Sequence, residues 1–190
     1  MFAKGLQSRG MTSATFPCPV ELRVETAADA AFVEGLVRGH LAEALGPARP
    51  GGFDPAPLLE MQARSREAML AGRFPDLERR VAWIGDERTA MLLTGTLDGA
   101  LHVVEIIIAP TWRRRGVGAA ILAQVVADGR TRERDVTASI FVTNTASLGL
   151  FSSVGFALDL APGAVQATAR LRTCINVTQD VDRPPPICHG

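Results

Sequence analysis

Two ionisable side chains, His102 and Glu105, stand in an otherwise apolar run from Leu101 to Ala109, and Arg113-Arg114-Arg115-Gly116-Val117-Gly118 follows a few residues later. The run reads as a strand, Pro110 starts a turn, and the glycine pair opens a helix continuing through Ala119, Ala120, Ile121 and Leu122. The first turn of such a helix carries backbone N–H groups without partners and the positive end of the dipole, and glycines there have no Cβ to hold a ligand away. That chemistry suits an anion, a phosphate above all. Glu105 is a carboxylate in apolar surroundings, where desolvation raises a pKa unless a partner compensates; it reads either as a proton acceptor or as an anchor for a neighbouring arginine. His102 has a free pKa suited to proton relay near neutrality, and reads otherwise as a partly exposed strand residue beside a hairpin. Three residues apart, the two point to opposite faces of a regular strand, so only one faces a bound molecule unless a bulge intervenes.

Spacing decides among the phosphate-binding patterns. A P-loop ends in Gly-Lys-Ser/Thr, and the only lysine of this chain is Lys4. The dinucleotide fingerprint needs a third small residue where Ile121 stands, and an acidic residue about 20 positions on, which Val136 to Val142 does not offer. The remaining pattern, Arg113-x-x-Gly116-x-Gly118 after Pro110, resembles the pyrophosphate-binding motif of the GNAT family of acetyl-CoA-dependent N-acetyltransferases. Downstream, Asn144 to Phe156 is similar to a second segment of that family, with Ser147 at an Ala position and Phe151 at a Tyr position. The resemblance covers roughly 20–172 and is firmest over 101–156. Two motifs in order and correctly separated weigh against a merely solvated basic patch followed by a glycine loop.

The resemblance implies that acetyl-CoA is the acetyl donor, a substrate lying against the start of the motif helix. Backbone amides of Arg114, Arg115, Gly116, Val117, Gly118 and Ala119 would hold the pyrophosphate, with added charge from Arg113. The strand backbone at Ile106, Ile107 and Ile108 would bind pantetheine and polarise the thioester carbonyl, an oxyanion-type stabilisation. Relatives often have Gly at the position of Arg114, so its side chain is expected to point to solvent. Asn144 would contact pantetheine or cap its short helix, Ser147 belongs to the same segment, and Phe151 would wall the cleft. Relatives use the Tyr that Phe151 replaces to protonate the thiolate, and this chain contains no Tyr. Solvent, Ser152 or another group must then do so. His102, eight residues before Pro110, lies where relatives often carry an acidic base, and Glu105 is the rival for that role. The implied function is N-acetyl transfer to a primary amine by direct attack in a ternary complex; the alternative is a CoA-binding module of the same fold with weak or no catalysis. Relatives are often dimers, and the sequence itself leaves the choice between monomer and homodimer open. No charge pattern in the Gly46 to Pro57 loop, the second helix or the closing hairpin selects an acceptor.

Composition bounds the rest. The chain has 190 residues, is 47% hydrophobic, and balances 20 basic with 20 acidic side chains. One domain with a full core is expected, and no global field recruits nucleic acid or an anionic membrane. Cys18, Cys174 and Cys188 show no paired spacing, which fits a reduced, cytoplasmic protein without a disulfide framework or a metal site. Residues 1–19 read as a flexible leader without a secretory core, 20–173 as the domain, and 174–190, with its proline run, as a tail. The charge-free stretch 136–158 is interrupted by Ser, Thr and Asn and reads as strand, turn and helix, not as a membrane span.

The elements that must position these groups follow in order. Val20 to Glu25 alternates as a strand, and Thr26 with Asp29 forms a capping box before a helix whose Phe32, Val33, Leu36, Val37 and Leu41 recur at helical spacing. Asp54-Pro55 starts a second helix ending near Gly72. Runs 80–84, 89–97 and 101–109 form an antiparallel meander whose second turn is Asp98-Gly99. The motif helix, 116–129, then connects to a strand, 136–142, that must run parallel to its predecessor. A short helix, 144–153, precedes a closing hairpin of 156–160 with 165–171. The expected fold is α/β of the α+β kind: a GNAT fold, with a mixed, mostly antiparallel sheet of six to seven strands, a central parallel pair and four flanking helices.

Overall fold

The structure, a computed structural model, describes residues 19–46 and 54–173. The leader to Cys18, most of the Gly46 to Gly52 loop, the tail from Cys174 and all three cysteines lie outside the described residues.

Local signals account for most of the elements. Asp98 and Gly99 both take positive φ, 51° and 77°, as a type I′ hairpin turn requires, so β3 (Glu87–Leu97) turns directly into β4 (Ala100–Ile108). Gly85, φ 59°, does the same between β2 (Glu78–Ile84) and β3, which begins at Glu87, so the turn is tighter than the four residues expected. β1 (Val20–Val24) pairs with β2 at the edge. The Thr26 and Asp29 box forms, but caps a single 3-10 turn, Ala27–Asp29, from which α1 (Ala30–Leu45) continues. Asp29 is buried, and its carboxylate accepts from the Thr26 backbone at 2.9 Å and from Arg88 Nε at 2.7 Å. The Arg88 bond first, then those of Thr26, hold its pKa down to about 2. In α2 (Ala56–Arg73), Asp54 accepts from the Ala56 amide at 3.0 Å, but Pro55 and not Asp54 holds the N-cap position, so the helix begins one residue later than the Asp-Pro pair implies.

After β4 come α3 (Val117–Thr131), β5 (Val136–Phe141), α4 (Thr145–Val154), β6 (Ala157–Asp159) and β7 (Gln166–Leu171). The seven strands form one sheet in the order β1-β2-β3-β4-β5-β7-β6, antiparallel throughout except for β4 with β5. This is the mixed sheet with one central parallel pair and four α-helices that the sequence implies. One face packs Leu92, Leu101, Val103, Val136 and Ala138 against Ile121, Leu122 and Val125 of α3 and Phe151 of α4. The other packs Met91, Leu93 and Ile107 against Leu36 and Val37 of α1 and Leu70 of α2. Each such fully buried aliphatic side chain contributes about 1.5–3 kcal/mol. Among the described residues no helix is long and apolar enough to cross a membrane, and no group of His, Cys, Asp and Glu could hold a metal ion.

Candidate active site

The central parallel pair is short. β4 and β5 are joined only at Leu101↔Val136, His102↔Thr137 and Val103↔Ala138. Beyond Val103 the two strands part: β5 stays paired with β7 as far as Phe141, and β4 stays paired with β3 as far as Ile108. A wedge therefore opens between Glu105–Ile108 on one side and Ser139–Phe141 on the other, where β4 keeps one edge free for a ligand's amides.

At the point of parting, β4 carries a bulge. Leu93 faces Glu105 and Thr94 faces Val103, so Val104 is the extra residue. The inserted residue changes the alternation. Leu101, Val103, Ile106 and Ile108 pack with the α3 face, Val104 and Ile107 pack with the α1/α2 face, and Glu105 meets α2. His102 and Glu105, expected on opposite faces of a regular strand, share the α1/α2 face because of the bulge.

Their surroundings differ. His102 is 5% exposed, stacks on Phe74 with centroids 5.8 Å apart, and shares a 2.9 Å hydrogen bond with Thr137 Oγ1 through Nδ1. It thus sits in the closed, paired end of the wedge. Burial, assisted by the charge of Arg73, pushes its pKa down to about 4, which leaves the imidazole neutral at pH 7. Glu105, at the opening, accepts from Arg66 of α2 through both Nε, at 3.0 Å, and an NH2 group, and both bonds fall on Oε2. Arg66 also donates to Glu67, which in turn accepts from Arg79. The compensating partner that a carboxylate in an apolar strand needs is therefore present.

The motif loop follows the strand. Pro110–Trp112 makes one 3-10 turn, and Gly116 sits at the N-cap of α3 with φ 87° and ψ −1°. That left-handed conformation is the reason for glycine there. No side chain caps the helix, so its leading amides, those of Val117 to Ala119 among them, keep the donor character an anion needs. Gly118 serves packing more than access. A Cβ on it would meet Leu150 Cδ2 at 2.8 Å and Ile108 Cδ1 at 3.0 Å, so the missing atom lets α4 and β4 close on α3.

The three arginines have separate fates. Arg113 donates through Nε to the Ile108 carbonyl at 3.1 Å and clasps Glu43 of α1 with two bonds of 2.9 and 3.0 Å. Its charge is directed across the loop to the end of α1. The bonds from Arg113 hold the Glu43 carboxyl below its usual range. Arg114 is exposed, as expected, but takes φ 62°, a conformation that suits the glycine of relatives better. Arg115 lies over the Trp112 ring, 5.3 Å from its centroid.

The downstream segment is structural in its visible contacts. Asn144 accepts from the Ser147 amide at 3.0 Å and caps α4. Phe151 is 5% exposed and packs edge-on against Phe156 at 5.0 Å, inside the α3-side core. Arg66, Glu43 and Thr137 were not singled out in the sequence; their contacts span 39, 70 and 35 residues, and no local pattern marks them.

The family model described as FR47-like protein matches residues 86–163, the span from β3 through the start of the closing hairpin. No curated protein sequence is matched. Among solved structures, an acetyltransferase from Thermus thermophilus superposes with a TM-score of 0.58 at 18% identity, covering 80% of this chain and 96% of its own. The PaiA N-acetyltransferase from Thermoplasma acidophilum, in complex with coenzyme A, gives 0.61 at 10% identity over 80% of this chain and 98% of its own. Spermidine N-acetyltransferase from Vibrio cholerae, in complex with CoA and spermine, gives 0.54 at 14% identity over 80% and 92%. Such identities speak to the fold alone, and they agree with the parted strands and the glycine-opened helix. Over residues 86–163 the chain is similar to the FR47-like family, and its fold is the one these acetyltransferase structures share.

Proposed function

We propose that this protein is an acetyl-CoA-dependent N-acetyltransferase that passes an acetyl group to a primary amine by direct attack in a ternary complex. The observation that carries the reading is the parting of β4 from β5 after Val103, beside an uncapped helix opened by a left-handed Gly116. The diphosphate of acetyl-CoA meets the amides of the motif loop and the first turn of α3, where fixed dipoles and donors favour an anion. Pantetheine runs into the wedge and takes the free edge of β4 at Ile106 to Ile108, with Asn144 and Ser147 across from it. A β4 amide bonded to the thioester oxygen stabilises the charge that develops there.

The reaction then balances as follows. The neutral amine nitrogen forms a bond to the carbonyl carbon, the C–S bond breaks, CoA leaves as thiolate, and the proton lost by nitrogen is matched by one gained by sulfur. Glu105 is the better placed of the two proton acceptors, directly or through a water, because it stands at the mouth of the wedge. His102, neutral with a pKa near 4, is a weak base in its closed end. With Phe151 turned into the core, the sulfur takes its proton from solvent or from Ser152, which is exposed.

Incubation with acetyl-CoA and a panel of primary amines, read as release of free thiol, tests this. At least one amine should release thiol, and the Glu105→Gln protein should do so more slowly by about 10²–10⁴-fold. Thermal stabilisation by CoA with no thiol released on any amine would replace the enzyme by a CoA-binding module, the reading to which the inward Phe151 lends weight.

A further inference from the structure

Resting on the acetyltransferase reading, we propose that Arg66 of α2 is a positioning residue that holds Glu105 as an anionic anchor for the acceptor's ammonium, and that the acceptor is an alkyl or polyamine type of amine lacking a carboxylate beside the nitrogen. The bulge at Val104 turns Glu105 toward α2 at the level where β4 and β5 part. Arg66, whose side chain is only 12% exposed, puts two donors on one oxygen, Oε2. A guanidinium that grips one oxygen in this way fixes the rotation of the carboxylate. Oε1 is then the oxygen left to a ligand, on a side chain that remains 23% exposed. A carboxylate anchored through one oxygen with the other open is a cation site, so it first collects the charged form of the amine.

The same network disfavours amino acids. Arg66 is bonded to both Glu105 and Glu67, and Arg79 is bonded to Glu67. Both guanidiniums are committed to protein carboxylates, so neither is left to receive an α-carboxylate. Such a group would also meet the negative charge of Glu105 itself, a like-charge approach that is disfavoured.

The test begins with calorimetric titration of n-butylammonium, and separately of norleucine, into the CoA-saturated protein. The alkylammonium should bind, norleucine should bind at least about tenfold more weakly, and Arg66→Ala and Glu105→Gln should each weaken alkylammonium binding about tenfold. Arg66→Lys should recover part of the loss, because it restores the charge without the fork. The double variant should be no worse than either single one, since the two residues act as a unit. CoA-induced thermal stabilisation, measured on the same samples, should be unchanged in all variants, which separates this proposal from the cofactor assignment. Absence of alkylammonium binding to the wild type, a preference for norleucine, or additive losses in the double variant would each overturn it. Loss of CoA stabilisation in the wild type would instead overturn the acetyltransferase reading.

Discussion

At the scale of single residues, backbone conformation and packing rank the motif positions. A valine at Gly118 must displace Leu150 and Ile108 at the junction of α3, α4 and β4. Overpacking of this kind costs about 1–3 kcal/mol, and the same displacement distorts the first turn of α3. Gly118→Val is therefore expected to lower the melting temperature and loosen CoA about tenfold or more, whereas Arg114→Ala, at an exposed side chain, should change both by little. Differential scanning fluorimetry with and without CoA checks the ranking, and a larger effect from Arg114→Ala would refute it. His102 gives a pH signature. Its folded pKa, about 4, lies below the ordinary 6.5, so the unfolded chain takes up a proton first as pH falls. The native advantage is complete above 6.5 and is lost progressively from there to about 4, for a total of about 3 kcal/mol. In His102→Asn, urea denaturation across that window should show a flatter decline of stability with acid, even though the loss of the Thr137 bond and the Phe74 stack lowers stability at neutral pH.

At the scale of elements, ion pairs tie helices to the sheet and its loops, those of Asp29 and Glu43 among them. Asp29, at the start of α1, is gripped by Arg88 of β3 and by the backbone of Thr26. Its pKa is lowered from 3.8 to about 2, so this stabilisation is present above 3.8 and disappears as pH falls toward 2. Asp29→Asn should cost about 2 kcal/mol at neutral pH and remove that part of the acid transition; equal acid sensitivity of the two proteins would contradict the assignment. Glu43, near the end of α1, holds Arg113 of the motif loop. Both side chains are well exposed, so the pair itself is worth about 0.2–1 kcal/mol. Glu43→Gln leaves Arg113 free to face the diphosphate, and CoA affinity at low salt should rise a few-fold, an advantage that fades as salt screens it. Weaker CoA binding in Glu43→Gln would mean that the clasp positions the loop.

At the scale of the whole molecule, the sheet is two half-sheets, β1 to β4 and β5 with β7 and β6, joined by three residue pairs. Opposite α3 and α4, the first half is covered by α1 and α2, and the second leaves Ser139, Phe141, Thr168 and Arg170 exposed. A ligand seated between the halves bonds to backbone on both sides and so links them. Saturation with CoA should stabilise the fold by about 2.7 kcal/mol at a hundredfold excess over Kd, and hydrogen exchange should slow most at Glu105 to Ile108 and at the start of α3. Protection confined to the α1/α2 face, with none on β4, would place the ligand elsewhere.

The sequence by itself determined the glycine-opened helix after a central strand, the Asp98-Gly99 hairpin, the order of elements and the parallel crossover. These rest on short-range physics: period-two and helical hydrophobic spacing, turn conformations open to Gly and Asp, and the handedness of a strand-helix-strand unit. Element ends shifted by one or two residues because strand pairing and caps, not propensity, set them. Only the tertiary structure decided that a bulge at Val104 brings His102 and Glu105 to one face, that β5 leaves β4 after Val103, and that Phe151 turns into the core. It alone chose Arg66 for Glu105 and Glu43 for Arg113, partners 39 and 70 residues distant. A carboxylate in an apolar strand announces that it needs a cation, but which of many arginines supplies it depends on how helices lie across the sheet, and no local pattern encodes that.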